Sequence, residues 1–399
     1  MKKAILTLSV FLLTIVMVAG CKHKSGLQAQ NQEKVKYKVD YLSPDYANIS
    51  CKIGDNNVKS GSFIEKGSTL VFTLEPKENY EADEWNIKGS TLTQGGNKGE
   101  RTCTIKLTSN VIVTCKVKFL LENGFNAVTG VGVLDGILFN MKDIPQAKDE
   151  ILGHTDEQSD NKAHKVTLDA FTISETEITQ ELYEKVIGKN PSVCRKTIEG
   201  EVIEKRPVEY VTWAECIAFC NRLTQIMPCL GDNYCVYYSD SELKNIYTVE
   251  DAAKLILPYT NWSRKGFRLP TSSEWEWAAR GGAKDEYWAG TGDEKKLEDY
   301  AWIDTNSNGT THEVAKKLPN GYGLYDMSGN VAEWCWDWYV ENISTAPSTN
   351  PIGPETGDLK IVRGGAVGIE FDSATVTHIL TMFPGHHSWI TGFRIVRKK

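Results

Sequence analysis

Two segments constrain this chain more than any others: GFRLPTSSEWEWAARGG at residues 266–282 and GYGLYDMSGNVAEWCWDWY at residues 321–339. In the first, Thr271 and Glu274 stand three apart, the spacing at which a hydroxyl and a carboxylate satisfy each other's free backbone donors and start a helix. That helix would bury Trp275, Ala278 and Ala279 and stop at Gly281 and Gly282, where a left-handed cap favours a residue without Cβ. The second segment mixes glycine, aspartate and asparagine with tryptophan and tyrosine, the composition of a loop braced by aromatic rings. Such a chain folds around short helices and ordered loops more than around a large sheet.

The same signals recur nearby. Thr212 and Glu215 form another capping box, and the face that follows is Trp213, Cys216, Ile217, Cys220 and Leu223. Cys216 and Cys220 lie on that face without a second thiol pair or neighbouring histidines, so they read as core and not as zinc ligands. Residues 170–174 read as a strand and residues 179–187 as a helix. Cys229 and Cys235 flank a Gly231-Asp232-Asn233 turn, which favours a small disulfide in an oxidising compartment.

Upstream, between residues 37 and 119, the pattern changes to period two. Ile49, Cys51 and Ile53 alternate with polar residues, as do Cys103, Ile105 and Leu107, and then Val111, Val113, Cys115 and Val117. The cysteines share the apolar parity and read as small core residues; a Cys103–Cys115 bridge is the alternative left open. Residues 63–89, with Lys66-Gly67, Pro76, Tyr80 and Trp85, resemble the bacterial repeat modules related to the internalin B-repeat. That resemblance implies a small all-β, β-grasp-like spacer without chemistry of its own.

The N-terminus reads as an export signal. Lys2 and Lys3 precede an apolar run at residues 4–18, and Val18-Ala19-Gly20 sets small residues before Cys21. This resembles a bacterial lipoprotein signal, in which Cys21 becomes the lipid-bearing first residue of the mature chain. Acyl chains such as palmitate partition into a bilayer at roughly 0.8 kcal/mol per methylene. Expected domains are the signal at 1–20, a polar tether at 21–35, the β module at 36–120 and a second domain at 121–399. Lys22 after the lipidated cysteine favours the outer membrane or cell surface over the inner membrane. A formal charge of −7 argues against a nucleic-acid partner.

The second domain resembles the formylglycine-generating enzyme family, also called sulfatase-modifying factors, whose fold is related to the C-type lectin fold. The resemblance rests on FTISETEITQELY (171–183), RPVEYVTWAECIAFCNRL (206–223), the two opening segments, IVRGG (361–365) and GFRIVR (392–397), all in one order. It implies a loop-rich α+β domain. It also implies a copper site of two cysteines, four and nine residues after the last glycine of RGG, because soft thiolates select Cu(I). Here Ile369 and Ala374 occupy those positions, so copper is not expected and no catalytic residue is assigned. The related sulfoxide synthases bind iron through three histidines on an added helical domain, and none of the histidines here falls in such a motif.

One metal site survives the comparison. The family places a structural calcium where Asp326 and Glu333 offer carboxylates and Gly329 and Val331 offer carbonyls, hard oxygens that calcium accepts. Without metal the two carboxylates would cap turns. A second family calcium site, near residues 300–303, has Trp302 in place of an oxygen ligand and is expected to be lost.

Between Arg363 and Arg394 the chain carries no lysine or arginine, although it has 45 of them elsewhere. Residues 374–376 read as a strand, and Ile369, Phe371, His378, Leu380, Phe383, His386, His387 and Trp389 read as the ligand-binding set. A subset of this fold, in lipoproteins diversified by retroelements, uses the same segment to bind ligands. The favoured reading is a lipid-anchored envelope protein whose scaffold binds a protein or glycan. The alternatives are a copper-dependent oxidase acting on a sulfatase cysteine and a structural envelope component. Replacing Cys21 by Ser should abolish incorporation of labelled palmitate and move the chain from the membrane to the soluble fraction, read by fractionation of expressing cells.

Overall fold

The computed structural model describes residues 34–399, apart from 45–46, 78–79, 120–121, 155–160, 283–285 and 342. The signal at 1–20, Cys21 and most of the tether lie outside the described residues. No helix among the described residues is long and apolar enough to cross a membrane. The chain divides into two compact units, Met1–Leu120 and Leu121–Lys399.

In the first unit every described element is a strand. One sheet orders Ser62–Glu65, Lys36–Leu42, Val111–Phe119 and Tyr80–Lys88, with the middle pair parallel. The other centres on Thr69–Pro76 between Ala47–Ile53 and Thr102–Lys106. Alternation sends Val39, Ile49, Cys51, Leu70, Phe72, Ile105 and Val113 into one core. Cys51, Cys103 and Cys115 lie in that core as free thiols. Burial pushes Cys51 and Cys103 up to about 12, so neither is a reactive thiolate.

Among its described residues the second unit holds four helices of five residues or more: α1 (Gln180–Ile187), α2 (Trp213–Ile226), α3 (Val249–Ala253) and α4 (Ser272–Ala279). Both expected capping boxes form, with the Thr212 hydroxyl accepting from the Glu215 amide and the Thr271 hydroxyl from the Glu274 amide, each at about 3.1–3.2 Å. A sheet brings Phe171–Ser174 between Ile137–Ile144 and the last strand, Val396–Lys398, so the chain end closes back on the start of the unit. A second sheet pairs Ala332–Trp338 with Lys360–Arg363 and with Thr391–Gly392, flanked by Leu380–Met382. Cys216 and Cys220 are buried in the main core beside Trp213, Phe219 and Trp334.

Two sequence expectations fail here. Residues 371–374 form a 3-10 turn, and Val376 follows in a turn, so residues 374–376 are not a strand. The cause is Gly365, at φ +65°: a Cβ there would fall 2.7 Å from the Ala374 Cα, and that close approach folds the segment back on itself. Cys229 and Cys235 are also unbridged. The Cys229 thiol faces the Phe125 backbone, 3.1 Å from its carbonyl, whereas Cys235 is buried with Sγ 3.7 Å from the Asn221 carbonyl.

Lys360 shows how the aromatic residues brace the domain. Its ammonium lies 3.8, 4.9 and 3.6 Å from the rings of Trp213, Trp336 and Trp338 and donates to the Trp336 carbonyl at 2.8 Å. Next to it, Asp337 accepts from the Ser272 amide at 2.8 Å and so caps the first turn of α4. Burial pushes Asp337 up to about 6, against the opposing pull of that amide and of Lys360. Because the folded value exceeds the unfolded one, this carboxyl's contribution to stability is full below the ordinary carboxylate range and fades as pH rises through about 6. Asp337→Asn should therefore remove on the order of 1–3 kcal/mol of the change in unfolding free energy between about pH 4 and pH 7, measured by urea titration at each pH.

Candidate functional site

Two buried arginines pin the ends of residues 366–391. Arg363 donates to the Ser272 hydroxyl at 3.0 and 2.7 Å, to the carbonyls of Thr377 and His378 at 3.0 and 3.2 Å, and to Glu276 at 3.2 Å. Arg394 forks onto Glu333 with two bonds of 2.7 Å and reaches the Ser174 carbonyl at 3.0 Å. The Trp275 indole adds a third bond to the same carboxylate at 2.7 Å. Trp275, Glu333 and Arg394 are all fully buried, so this cluster is part of the core as well as the frame of the site.

Between those pins the expected ligand-binding residues separate into two groups. Ile369 and Leu380 are half-buried and pack on the main core, and Phe371 packs against Trp288 with ring centroids 6.2 Å apart. His378, Phe383, His386, His387 and Trp389 are exposed, Phe383 at 64% and Trp389 at 41%. Trp389 lies over Gly368, where a Cβ would meet its ring at 3.1 Å, so the early and late parts of the segment touch there.

What borders this face was not legible from the chain alone. Tyr210 is 41% exposed, packs its ring at a tilt against His387 with centroids 5.1 Å apart, and holds the rare backbone value of φ +64°. Its amide donates to the Ser388 carbonyl, and the Trp213 amide to that of Pro384, both at 3.0 Å. His387 also meets Glu215, the capping carboxylate of α2, at 3.3 Å. On the other side Leu255, 54% exposed, lies against Gly385. The face is thus composite, built from the segment, the start of α2 and the turn after α3. A separate half-open cavity of about 460 Å³ lies beside the first turn of α4, lined by Trp338, Ile343, Pro347 and Ile352.

A family model described as "Sulfatase-modifying factor enzyme 1-like domain" matches residues 133–399. The chain belongs to this family. Among its relatives, "Chaperone protein LppX" of Paenibacillus barcinonensis is 32% identical over 253 residues, which is 59% of this chain and 82% of that protein. "Formylglycine-generating enzyme" of Streptomyces coelicolor is 38% identical over 121 residues, covering 27% of this chain and only 38% of the enzyme. Among solved structures, "Treponema denticola variable protein 1" superposes with a TM-score of 0.62 at 39% identity, over 69% of this chain and all of that one. The second unit therefore has the α+β, loop-rich fold of formylglycine-generating enzymes and C-type lectins.

Ile369 and Ala374, the positions at which the resemblance implies thiols, are aliphatic. Ile369 packs into the core, and Ala374 is buried with its carbonyl accepting from the Ser328 hydroxyl at 2.7 Å. Cys194 is the thiol bonded into the segment, its Sγ 3.6 Å from the Trp389 carbonyl, and burial raises its pKa. No group of three or more histidine, cysteine, aspartate or glutamate side chains among the described residues is arranged to hold a metal ion.

Asp326 lies in the loop at which the resemblance implies calcium. Asp326 is 2% exposed; Oδ2 accepts from the Ala315 amide at 2.8 Å, while Oδ1 is buried without a hydrogen-bond partner among the described residues. Burial pushes Asp326 up to about 6. A buried carboxylate oxygen left bare fits a hard cation. Glu333 gives both its oxygens to Arg394 and Trp275, so it has little left to offer an ion. At the other family site, Trp302 stacks on His312 at 3.7 Å and lies under the Lys317 ammonium at 3.9 Å. Glu333→Ala would strip the buried Arg394 fork and the Trp275 indole of their shared acceptor, and should destabilise the protein by about 3–5 kcal/mol in denaturant titrations.

Proposed function

We propose that this protein is a lipid-anchored protein of the cell envelope, at the outer membrane or cell surface, whose sulfatase-modifying-factor domain binds a ligand and does not catalyse. The observation that carries this reading is the pair Ile369 and Ala374. Neither side chain can ligate copper or pass an electron, so the family fold is present without the thiols of its oxidase chemistry.

The arrangement of the face supports a binding role. Phe383, Trp389 and Tyr210 expose aromatic surface with histidines beside it, the composition of a protein-binding patch. The buried Arg363 holds the middle of the segment's backbone through the Thr377 and His378 carbonyls, which lowers the ordering entropy that opposes binding. A relative named a chaperone and a structural neighbour named a variable protein also fit a scaffold that engages other molecules. The ligand class is a protein or a glycan, and the first unit acts as a spacer between the lipid and the binding domain.

The test compares affinity capture by the wild-type chain with that by a Tyr210→Ala, Phe383→Ala, Trp389→Ala variant, because these three side chains are exposed and their loss spares the core. Captured protein and glycan should fall by about tenfold or more, the loss of roughly 1.4 kcal/mol of binding. Unchanged capture would move the binding face elsewhere. Copper-dependent oxidation of a sulfatase cysteine peptide by this chain would overturn the non-catalytic reading.

A further inference from the structure

The half-open cavity of about 460 Å³ beside α4 lies away from the aromatic face, and its size falls within the roughly 300–1,000 Å³ of small-molecule sites. Its walls come mainly from three stretches of the second unit: the first turn of α4, the end of the strand Ala332–Trp338, and residues 347–354. The last stretch is held by strand pairing of Val166 with Ser348 and of Thr167 with Thr349, and the Asn350 amide donates to the Thr167 carbonyl at 2.8 Å. The cavity is therefore part of the fold and needs no ligand to form. Trp338, Pro347, Ile352 and Pro354 make its lining mainly apolar.

One carboxylate breaks that apolar lining. Asp337 is 5% exposed; its Oδ2 accepts from the Ser272 amide at 2.8 Å, whereas no group among the described residues donates to Oδ1. Gly353 keeps the space beside Oδ1 open. At φ +72° it carries no Cβ, and one built there would lie 3.2 Å from that oxygen and 2.8 Å from the Asp337 Cβ. Lys360 does not pair with the carboxylate, since its ammonium bonds the Trp336 carbonyl and lies among three indole rings. Arg363, the arginine of the lining, spends its guanidinium on Ser272, Glu276 and the carbonyls of Thr377 and His378. A buried carboxylate with a bare oxygen is costly until something donates to it.

The surrounding chemistry narrows what that donor is. A helix start ordinarily draws an anion, but Asp337 already holds the Ser272 amide and the capping box holds those of Thr271 and Glu274. A second negative charge would meet the carboxylate at close range. One carboxylate among apolar walls is also too small a ligand set for a metal ion. We propose that this cavity binds a small organic ammonium, a protonated amine on an apolar body. The ammonium donates to Asp337 Oδ1, and the body lies against Trp338, Pro347 and Ile352. This site is separate from the face at residues 366–391 and gives the domain a second ligand of different chemistry.

The experiment titrates the full chain at about pH 7.5, above the value of about 6 to which burial pushes Asp337, so that the carboxylate is charged. Phenethylamine is the probe, and phenethyl alcohol and phenylpropionate are its neutral and anionic counterparts of similar shape. Calorimetry should show saturable binding of the amine, binding of the alcohol at least about tenfold weaker, and none of the acid. Asp337→Asn, which keeps an oxygen for the Ser272 amide, should weaken the amine about tenfold or more and bring it level with the alcohol. Ile352→Trp, at a lining position that is 41% exposed, narrows the cavity and should weaken amine and alcohol together; it serves if the first variant does not fold. Wild type that binds no amine, or that binds amine and acid alike, would overturn the proposal. Amine binding that neither variant changes would place the amine elsewhere on the chain and overturn it too.

Discussion

The second unit depends on the buried contact among Trp275, Glu333 and Arg394. Each residue comes from a different element: α4, the strand Ala332–Trp338 and the run that leads into the last strand. A charge pair removed from water is favourable only when its geometry is complete, so these elements must arrive together or not at all. The Arg394 bond to the Ser174 carbonyl extends the same requirement to the strand that opens α1. Little sheet is needed where one ionic contact holds four elements in register.

Much of the frame was legible because its signals are local. The capping hydroxyls of Thr212 and Thr271 lie three residues from the carboxylates they work with, and the inward parity of Ile49, Cys51, Ile105 and Val113 repeats every second residue. Errors arose where distant parts of the chain decide. Ala374 and Val376 have a strand's spacing, but Gly365 packs against Ala374 and turns the chain. Cys229 and Cys235 flank a turn suited to a disulfide, yet each thiol finds a different backbone group from outside that turn.

The site was legible in composition and not in direction. A run without lysine or arginine between Arg363 and Arg394 marks a surface unlike the rest of the chain. Nothing in that run reveals that Ile369 and Leu380 face the core while Phe383 and Trp389 face outward. Tyr210 was invisible because its positive φ comes from tertiary context.

The two arginine pins also bear on how freely the segment can change. Because Arg363 is bonded to Ser272 of α4 and Arg394 to Glu333, residues 366–391 run as a loop between two fixed points. Closing a flexible loop costs free energy that grows with the logarithm of its length, so doubling it adds only about 0.6 kcal/mol. An insertion in the exposed stretch around Phe383 and His386 therefore falls within what a marginally stable domain can absorb, whereas one beside Gly365 meets the Ala374 backbone. Length, and not only side-chain identity, is open to variation at this face.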